Sequence, residues 1–291
     1  MNAAPLGRDA ALYVKSHKVP GPKTHGCLYH MHNNRKVCIL GFLKQSLLPE
    51  HDILLLAVDS RMEDGMKSTL KSFGIDLIEI PPFNGLAEPV AGHADMHITH
   101  IRDNVIVCQP DLPEKIYEKL EQYGFDIHIG NTALQTDYPL DVAYNVAIVG
   151  DVAFHNIRYT DSVILKLLHQ YNIRTVHVNQ GYTKCSLLPV SNNSIITDDP
   201  SIEKAALSEG FEVLKIPPQK NIRLPGYSYG FIGGTAGFIG RNMLAFAGSL
   251  EMLDSSDEIK NFLNKHSVKW VNLGCDKIFD CGSLIPLFEK F

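Results

Sequence analysis

The sequence predicts an α/β fold in which a β-β-α-β unit recurs five times within one closed domain. Residues 180–217 contain one complete unit, and the same order of turn, strand, helix cap, helix, helix stop and strand returns in four other stretches. The chain of 291 residues is also 45% hydrophobic, which is enough to bury a substantial core. Five similar units favour a single closed domain over two separate ones.

The clearest unit starts with an extended stretch, Tyr182–Val190, and a turn at Ser191–Asn193, where Ser and Asn favour tight turns. A second strand, Ser194–Thr197, runs into Asp198-Asp199-Pro200, which offers an N-cap carboxylate and a proline suited to the first helical turn. An apolar stripe then predicts a helix that ends at Gly210 and is followed by a third strand.

The other units are weaker copies of this one. The repeats are predicted at about 26–82, 86–130, 133–178, 180–217 and 226–273, after an N-terminal arm over 1–25 and before a closing segment over 274–291. The predicted helices are MEDGMKSTLKSF, EKIYEKLEQY, SVILKLLHQY and EIKNFLNKH, and the first three end at Gly74, Gly124 and Asn172.

Two copies need particular assignments. In the first, Asn33-Asn34 is taken as a hairpin turn and KVCIL as the return strand, with an insertion before the buried strand Ile53–Val58. In the third, Tyr144-Asn145 is taken as the turn and VAIVG as the strand that follows it.

Composition excludes several classes of protein. The formal net charge of −5 and the lack of a Lys/Arg run argue against nucleic-acid binding. No apolar run approaches the roughly 18 residues that cross a bilayer, so we predict no membrane association and a cytoplasmic location. The six cysteines are scattered and form no CxxC pair, which favours reduced thiols over disulfides or zinc.

The stretch GHADMHITH alternates more regularly than any other. As a strand it places His93, Asp95 and His97 on one face and the apolar residues on the other. Such a polar face indicates either a ligand site or a solvated edge strand. The pattern His-x-Asp-x-His is also compatible with a metal, but no other ligand cluster accompanies it, and we predict neither a metal nor a cofactor.

Counting eight residues back from the turns aligns Asp95 with Lys184 and His93 with Tyr182. By the same count Cys185 faces the core unless a bulge shifts the pleat. In the third unit the first strand is taken as YPLDVAYN, whose polar contribution is Asp141.

The string GFIGGTAGFIGRN resembles the nucleotide-binding turn of short-chain dehydrogenases. That motif needs a helix directly after it and a full sheet beyond, whereas Arg241 to Gly248 reads as turn and strand. We therefore expect these glycines to allow close approach of neighbouring strands instead.

Five β-β-α-β units in a chain of this size resemble the pentein fold, the five-fold pseudosymmetric α/β propeller of the guanidino-group-modifying enzymes. The resemblance covers most of residues 26–273 and is strongest to an uncharacterised bacterial amidinotransferase-like group, through the strings GHADMH, QGYTKCS and GFIGGTAG. It implies a central channel in which carboxylates hold a flat guanidinium cation, a cysteine attacks its carbon and a histidine transfers protons.

Carried over to this chain, the resemblance implies Cys281, His93 and Asp95 as catalytic residues and His97, Asp141, Tyr182 and Lys184 as ligand-binding residues. The chain departs from the family pattern because Cys281 lies beyond the fifth unit and the third unit has no histidine in YPLDVAYN. A buried inert thiol is therefore the simpler reading of Cys281.

Two functions remain open at this stage. The first is binding of a small polar or guanidine-bearing molecule, such as an arginine-like amino acid, with or without amidinotransferase- or deiminase-like hydrolysis of a C–N bond. The second is a non-catalytic binding protein, as in the ribosome anti-association initiation factor that shares the fold.

Overall fold

The computed structural model describes residues 30–32, 35–37 and 40–290, with side chains from residue 41 onward. The predicted N-terminal arm over 1–25 lies outside these residues. Residues 30–32 pair antiparallel with residues 35–37, as the predicted hairpin requires, and its predicted turn, Asn33-Asn34, lies outside the described residues.

Seven α-helices are described, of which five have nine or ten residues and two have four. They are α1 (Asp64–Ser72), α2 (Ala94–His97), α3 (Glu114–Tyr123), α4 (Ser162–Gln170), α5 (Thr183–Ser186), α6 (Pro200–Ser208) and α7 (Ser256–Lys265).

Twenty strands are described, all of them short. The first ten are β1 (His30–His32), β2 (Arg35–Val37), β3 (Leu40–Phe42), β4 (Asp52–Asp59), β5 (Asp76–Ile80), β6 (Ile98–Arg102), β7 (Val105–Cys108), β8 (Asp126–Ile129), β9 (Ala147–Val149) and β10 (Val152–His155). The remaining ten are β11 (Arg174–His177), β12 (Leu187–Ser191), β13 (Ser194–Thr197), β14 (Glu212–Lys215), β15 (Ile222–Arg223), β16 (Ala236–Gly240), β17 (Met243–Phe246), β18 (Lys269–Asn272), β19 (Ile278–Phe279) and β20 (Ile285–Lys290).

The strands form several small sheets rather than one large one. Four have three strands, in the orders β6-β7-β8, β9-β10-β11, β12-β13-β14 and β16-β17-β18. In each of these the first two strands are antiparallel, and the second and third are parallel and joined by one of the longer helices. The protein is therefore a mixed α/β fold of small sheets.

The longer helices begin and end where the sequence predicts. Asp161 and Asp199 cap α4 and α6 by accepting hydrogen bonds from backbone N–H groups of the first turn. Gly124 adopts a left-handed conformation with φ of 88° directly after α3, which satisfies the last carbonyls of that helix. Each longer helix buries one face; α7, for example, buries Ile259 and Leu263.

The first sheet differs from its prediction. Its order is β3-β20-β4-β5, so the strand that leads to the helix of this unit is β4, which contains Ile53–Val58, and not KVCIL, and the antiparallel partner of β4 is β20, from the C-terminal end of the chain. Residues 285–290 lie between β3 and β4 and pair with both. The sequence did not reveal this pairing because its two partners are separated by more than two hundred residues.

The extended assignment at the start of the second and fourth units is wrong. Residues 94–97 and 183–186 are single helical turns, α2 and α5, and the strands begin only at Ile98 and Leu187. A 3-10 turn over Ile232–Thr235 precedes β16 in the same way. The alternation of His93, Asp95 and His97 on a strand face therefore does not exist.

The third hairpin is also displaced from its prediction. The strand over 147–149 comes before the hairpin turn and β10 after it, with the turn at Gly150-Asp151 and not at Tyr144-Asn145. The predicted strand YPLDVAYN is irregular backbone.

The glycine-rich string forms the 3-10 turn and β16, and β17 follows directly after a turn, so no helix N-terminus is available for a pyrophosphate. A Cβ at Gly237 would collide with the carbonyl oxygen of Leu284, and one at Gly234 with the carboxylate of Asp280. The expected role of these glycines in close approach is confirmed. Every helix in the described part of the chain is too short or too polar to cross a bilayer.

Candidate functional site

The three short turns bring their side chains to the segment 280–283. Gly233, in the 3-10 turn, lies against the backbone of Lys184 in α5, and Gly282 lies against His93 at the start of α2. Asp95 N donates a hydrogen bond to Gly282 O at 3.3 Å. Residues distant in the chain therefore meet at one buried place.

His93, Asp95 and Cys185 form the centre of this site. One donor atom from each lies within 4.8 Å of the others, and each residue is only 2% exposed. The Cys185 thiol donates a hydrogen bond from Sγ to Asp95 Oδ2 at 3.1 Å. Neither His93 Nδ1 nor Asp95 Oδ1 has a hydrogen-bond partner among the described residues, although both are buried.

The Cys185 side chain therefore lies in this site, and the prediction that it faces the apolar core is wrong. The reason is the helical turn, because residues one apart on a helix diverge by about 100° rather than by the 180° of a strand. Burial, reinforced by the carboxylates of Asp95 and Asp280, raises the pKa of this thiol well above its ordinary value.

Lys184 reaches Asp95 through a serine. Its Nζ donates to Ser283 Oγ at 2.8 Å and to Gly233 O at 3.2 Å, while Ser283 Oγ donates to Asp95 Oδ2 at 2.7 Å. Burial lowers the pKa of Lys184, an effect that the nearby Asp95 opposes. The lysine lines neither of the cavities that contain His93.

Asn145 holds the two helical turns together. Its Oδ1 accepts from Lys184 N at 2.8 Å and from Cys185 N at 3.3 Å. Its Nδ2 lies within hydrogen-bond distance of Asp95 O, at 3.2 Å, and of Cys185 Sγ, at 3.3 Å. The side chain fixes the position of Cys185 relative to Asp95.

Asp280 is the second buried carboxylate beside His93. Its Oδ2 accepts from Phe231 N at 2.9 Å and its Oδ1 from Gly282 N at 3.1 Å, with His93 Nδ1 3.8 Å from Oδ1. Burial raises the pKa of Asp280, while His93 and the two backbone donors oppose that effect.

Asp141 and Tyr182 form a separate pair. The Tyr182 hydroxyl donates to Asp141 Oδ2, and Asp141 Oδ1 has no partner among the described residues. Burial raises the pKa of Asp141 and also that of Tyr182. The Tyr182 ring lies between Tyr138 and Phe231, with centroid distances of 5.7 and 6.2 Å.

His97 is held away from this centre by its own contacts. Its Nε2 lies 2.7 Å from Ala91 O and its Nδ1 lies 3.5 Å from Gln109 Nε2. Burial lowers the pKa of His97 to about 4, so the ring is neutral at ordinary pH.

Cys281 lies near His93 without belonging to the central group. Its thiol is 3.6 Å from Gly234 O. Burial and the carboxylates of Asp280 and Asp59 raise its pKa well above the ordinary value. The roles of the seven residues named from the sequence remain predictions.

Two cavities share His93, Leu224 and Asp280 in their walls. The larger, of about 300 Å³, is also lined by Asp59, Arg61, Glu63, Glu88 and Cys281. The smaller, of about 260 Å³, is also lined by Tyr182, Cys185, Tyr227 and Phe231.

Sequence reasoning missed Asn145, Asp280 and Ser283 and misplaced Cys185. Position within the unit is a signal for two of them. Asn145 and Cys185 each stand two residues before the first strand of their sheet, as Met96 does in the second unit, once the third hairpin turn is placed at Gly150-Asp151. The other two have no local signal, because they contribute through contacts with distant segments.

Comparisons with known proteins agree on the fold. A family model described as "Family of unknown function (DUF6873)" matches residues 57–285. No curated protein matches the chain.

An agmatine deiminase of C. jejuni superposes with a TM-score of 0.50 at 12% identity, covering 81% of this chain and 90% of its own. A dimethylarginine dimethylaminohydrolase, in an adduct with 4-chloro-2-hydroxymethylpyridine, gives 0.50 at 9% identity, covering 76% of this chain and 92% of its own. The mixed α/β fold of small sheets is therefore shared with these two solved structures, in line with the predicted resemblance to the pentein fold.

Proposed function

The chain belongs to the family of unknown function DUF6873, and we propose that it binds a small molecule bearing a guanidinium group in the cavities at His93 and Asp280. The observation that carries the proposal is the charge of the cavity walls. Four carboxylates line the larger cavity, Asp59, Glu63, Glu88 and Asp280, against one basic side chain, Arg61, and His93. A planar cation is the ligand that such a surface favours.

The basic side chain of the larger cavity is paired with Asp59, and the Asp280 carboxylate is not paired with a lysine or arginine among the described residues. Arg61 Nη2 lies 2.7 Å from Asp59 Oδ2, so these two charges balance each other. Asp280 lines both cavities and has no lysine or arginine partner among the described residues. A cation that enters either cavity can therefore reach this carboxylate.

The smaller cavity adds aromatic walls. Tyr182, Tyr227 and Phe231 line it together with Asp280. Aromatic faces attract cations, and guanidinium groups stack on them as well. This combination supports a guanidinium in preference to a compact ammonium ion.

Lys184 is not placed to contact a carboxylate of a ligand in either cavity. Its ammonium group is used by Ser283 and Gly233 and is not in the wall of either cavity. We therefore propose that recognition depends on the guanidinium end of the ligand, so that agmatine and arginine bind comparably.

We also propose that the five sheets of three or four strands close into the five-bladed ring that the sequence predicts. Two contacts support closure. The last of these sheets meets the first where Gly237 lies against Leu284, and the chain then enters the first sheet as β20. The site would then lie in the central channel of this ring.

The reaction class that we propose is hydrolysis of a guanidine C–N bond with Cys281 as nucleophile. The Cys281 sulfur bonds to the guanidinium carbon, its thiol proton passes through His93 to a terminal nitrogen of the ligand, and the C–N bond breaks to release ammonia or an alkylamine. Water then attacks the thiouronium carbon and the C–S bond breaks. One proton of the water returns to the thiol, the other goes to the released amine, and the ureido product leaves. Because burial keeps Cys281 protonated, the positive charge of the bound ligand would have to favour the thiolate.

Binding without catalysis is the second candidate function. The raised pKa values of Cys185 and Cys281 favour it, since a neutral thiol is a poor nucleophile. Turnover measurements separate the two candidates.

The proposal is tested with thermal shifts for arginine, agmatine, methylated arginines and simple carboxylates. A guanidine at about one hundred times its dissociation constant should stabilise the protein by about 2.7 kcal/mol, and carboxylates without a cation should not. Asp280→Asn should remove most of the shift, whereas Asp64→Asn, at an exposed position of α1, should keep it. Cys281→Ser should keep binding and lose any release of a ureido product.

Two results would contradict this proposal. One is the absence of a shift with every guanidine compound, and the other is a full shift in a folded Asp280→Asn variant. Binding without turnover in the wild-type protein would establish the non-catalytic candidate instead.

A further inference from the structure

We propose that His93, Asp95 and Cys185 form a binding site for a divalent transition-metal ion, with Zn²⁺ as the ion that fits it best. This inference goes beyond the proposed function and does not depend on it. It differs from the sequence analysis, which considered His93, Asp95 and His97 as metal ligands and predicted that no metal is bound.

The first argument is geometric. A tetrahedral zinc ion binds sulfur at about 2.3 Å and nitrogen or oxygen at about 2.0–2.2 Å, which places its ligand atoms about 3.5 Å apart. Cys185 Sγ and Asp95 Oδ2 are 3.1 Å apart, and the third donor, from His93, completes a group within 4.8 Å. Small side-chain movements would bring all three to bonding distance.

The second argument is that two buried polar atoms of this group make no hydrogen bond to the described residues, although His93 Nδ1 lies 3.8 Å from Asp280 Oδ1. His93 Nδ1 and Asp95 Oδ1 are buried without a hydrogen-bond partner in the described part of the chain. Native proteins rarely leave a buried polar atom unsatisfied without a reason. A bound cation would satisfy the carboxylate and the imidazole at once.

The donor set indicates which metal. Thiolate and imidazole are ligands of zinc and neighbouring transition metals, whereas magnesium and calcium take oxygen almost exclusively. One sulfur, one nitrogen and one oxygen donor therefore favour Zn²⁺ over the hard cations.

The surroundings already orient the ligands. Ser283 donates to Asp95 Oδ2, and Asn145 fixes the backbone and sulfur of Cys185. Such supporting contacts are characteristic of protein metal sites. Lys184 is one hydrogen bond removed, since it reaches Asp95 through Ser283, and its charge does not occupy the place of the metal.

The site has an open fourth position. His93 and Cys185 both line the smaller cavity, so a water or another small ligand can complete the coordination from there. Binding replaces the thiol proton of Cys185, which is released to solvent. Because the metal and a guanidinium both need the negative charge around His93, each should exclude the other.

The test uses the full-length protein after removal of metals with a chelator. One equivalent of Zn²⁺ should remain bound after gel filtration, and Co²⁺ should give a thiolate-to-metal charge-transfer band that Zn²⁺ displaces. Cys185→Ser should abolish the band and weaken Zn²⁺ binding by about 100-fold or more. Cys281→Ser should keep both, which identifies the ligating sulfur.

A variant that retains Cys185 as its sole cysteine keeps the test decisive if Cys185→Ser fails to fold, since its Co²⁺ band can come only from that sulfur. Absence of stoichiometric Zn²⁺ in the wild-type protein, or a folded sole-cysteine variant without the band, would overturn the proposal. Guanidine thermal shifts measured with chelator present report on the proposed function separately.

Discussion

Two histidines four residues apart show how contacts decide the role of a residue. His97 has both ring nitrogens beside protein partners, and burial keeps it neutral, whereas His93 keeps one buried nitrogen without a partner and lines both cavities. The sequence analysis placed both histidines on one polar face because it predicted a strand there. Their different roles depend on the positions of the Ala91 carbonyl and of segment 280–283, and no local sequence pattern predicts those positions.

Gly237 and Gly65 form a matched pair for a test at the same scale. Alanine at Gly237 would place its Cβ against the carbonyl oxygen of Leu284, which is backbone and cannot rotate away, so we expect a loss of about 2 kcal/mol or more. Gly65 lies in α1 with nothing near its Cβ position, and alanine there should stabilise by roughly 0.5 kcal/mol. Urea unfolding measures both, and equal effects would contradict the close approach of β16 to Leu284.

Among the elements, the five longer helices were predictable and the short turns were not. Each longer helix shows apolar positions three and four residues apart, and each is followed within two residues by a residue with positive φ, namely Gly74, Gly124, Asn172, Gly210 and Ser267. The turns α2 and α5 have four residues, all buried, so they offer neither a full period nor a contrast between faces. The sequence analysis therefore grouped His93 with Asp95, as the structure does, but placed Cys185 on the core side.

Asn145 tests whether these turns depend on one side chain. Asn145→Ala removes the amide that joins α2 to α5 and leaves the Cys185 N–H and the Asp95 carbonyl without it, so we expect a loss of about 2 kcal/mol or more. Asn261→Ala, at an exposed position of α7, should change the free energy of unfolding by less than about 0.5 kcal/mol. Similar values for both variants would show that the turns hold without Asn145.

For the whole molecule, recurrence of the β-β-α-β order predicted the pentein fold, and the chain shares a mixed α/β fold of small sheets with two solved structures that superpose on it at a TM-score of 0.50. Recurrence worked because helix caps, stops and apolar runs are local signals that each unit carries independently. The partner of β4 and the contacts of Asp280 and Ser283 depend on the C-terminal segment returning to the first sheet, and such non-local pairing leaves no periodic signal.

Two titratable groups, one buried and one half-buried, should change the stability of the protein with pH in opposite directions. Burial lowers the pKa of His100 from an ordinary 6.5 to about 4, so the unfolded chain binds more protons in that window. The contribution of His100 to stability is therefore complete above about pH 6.5 and falls by about 1.4 kcal/mol per pH unit towards pH 4. Burial raises the pKa of Asp198 from 3.8 to about 6, so its folded form binds more protons and its destabilising effect fades as the pH falls.

The difference in the free energy of unfolding between a variant and the wild type, measured across pH, isolates the contribution of the replaced group from those of the other titrating groups. His100→Gln keeps a donor for the Asp103 carbonyl, which His100 Nε2 contacts at 2.8 Å, but cannot titrate. Its stability relative to wild type should rise as the pH falls from about 6.5 to about 4, by up to about 3 kcal/mol. Asp198→Asn should be more stable than wild type near neutral pH and lose that advantage by about pH 4, with a smaller amplitude because Asp198 is partly exposed. Urea unfolding across this range measures both slopes. A flat difference for either variant would show that the group it replaces titrates near its ordinary pKa, and two slopes of the same sign would show that one of the two pKa shifts has the opposite direction.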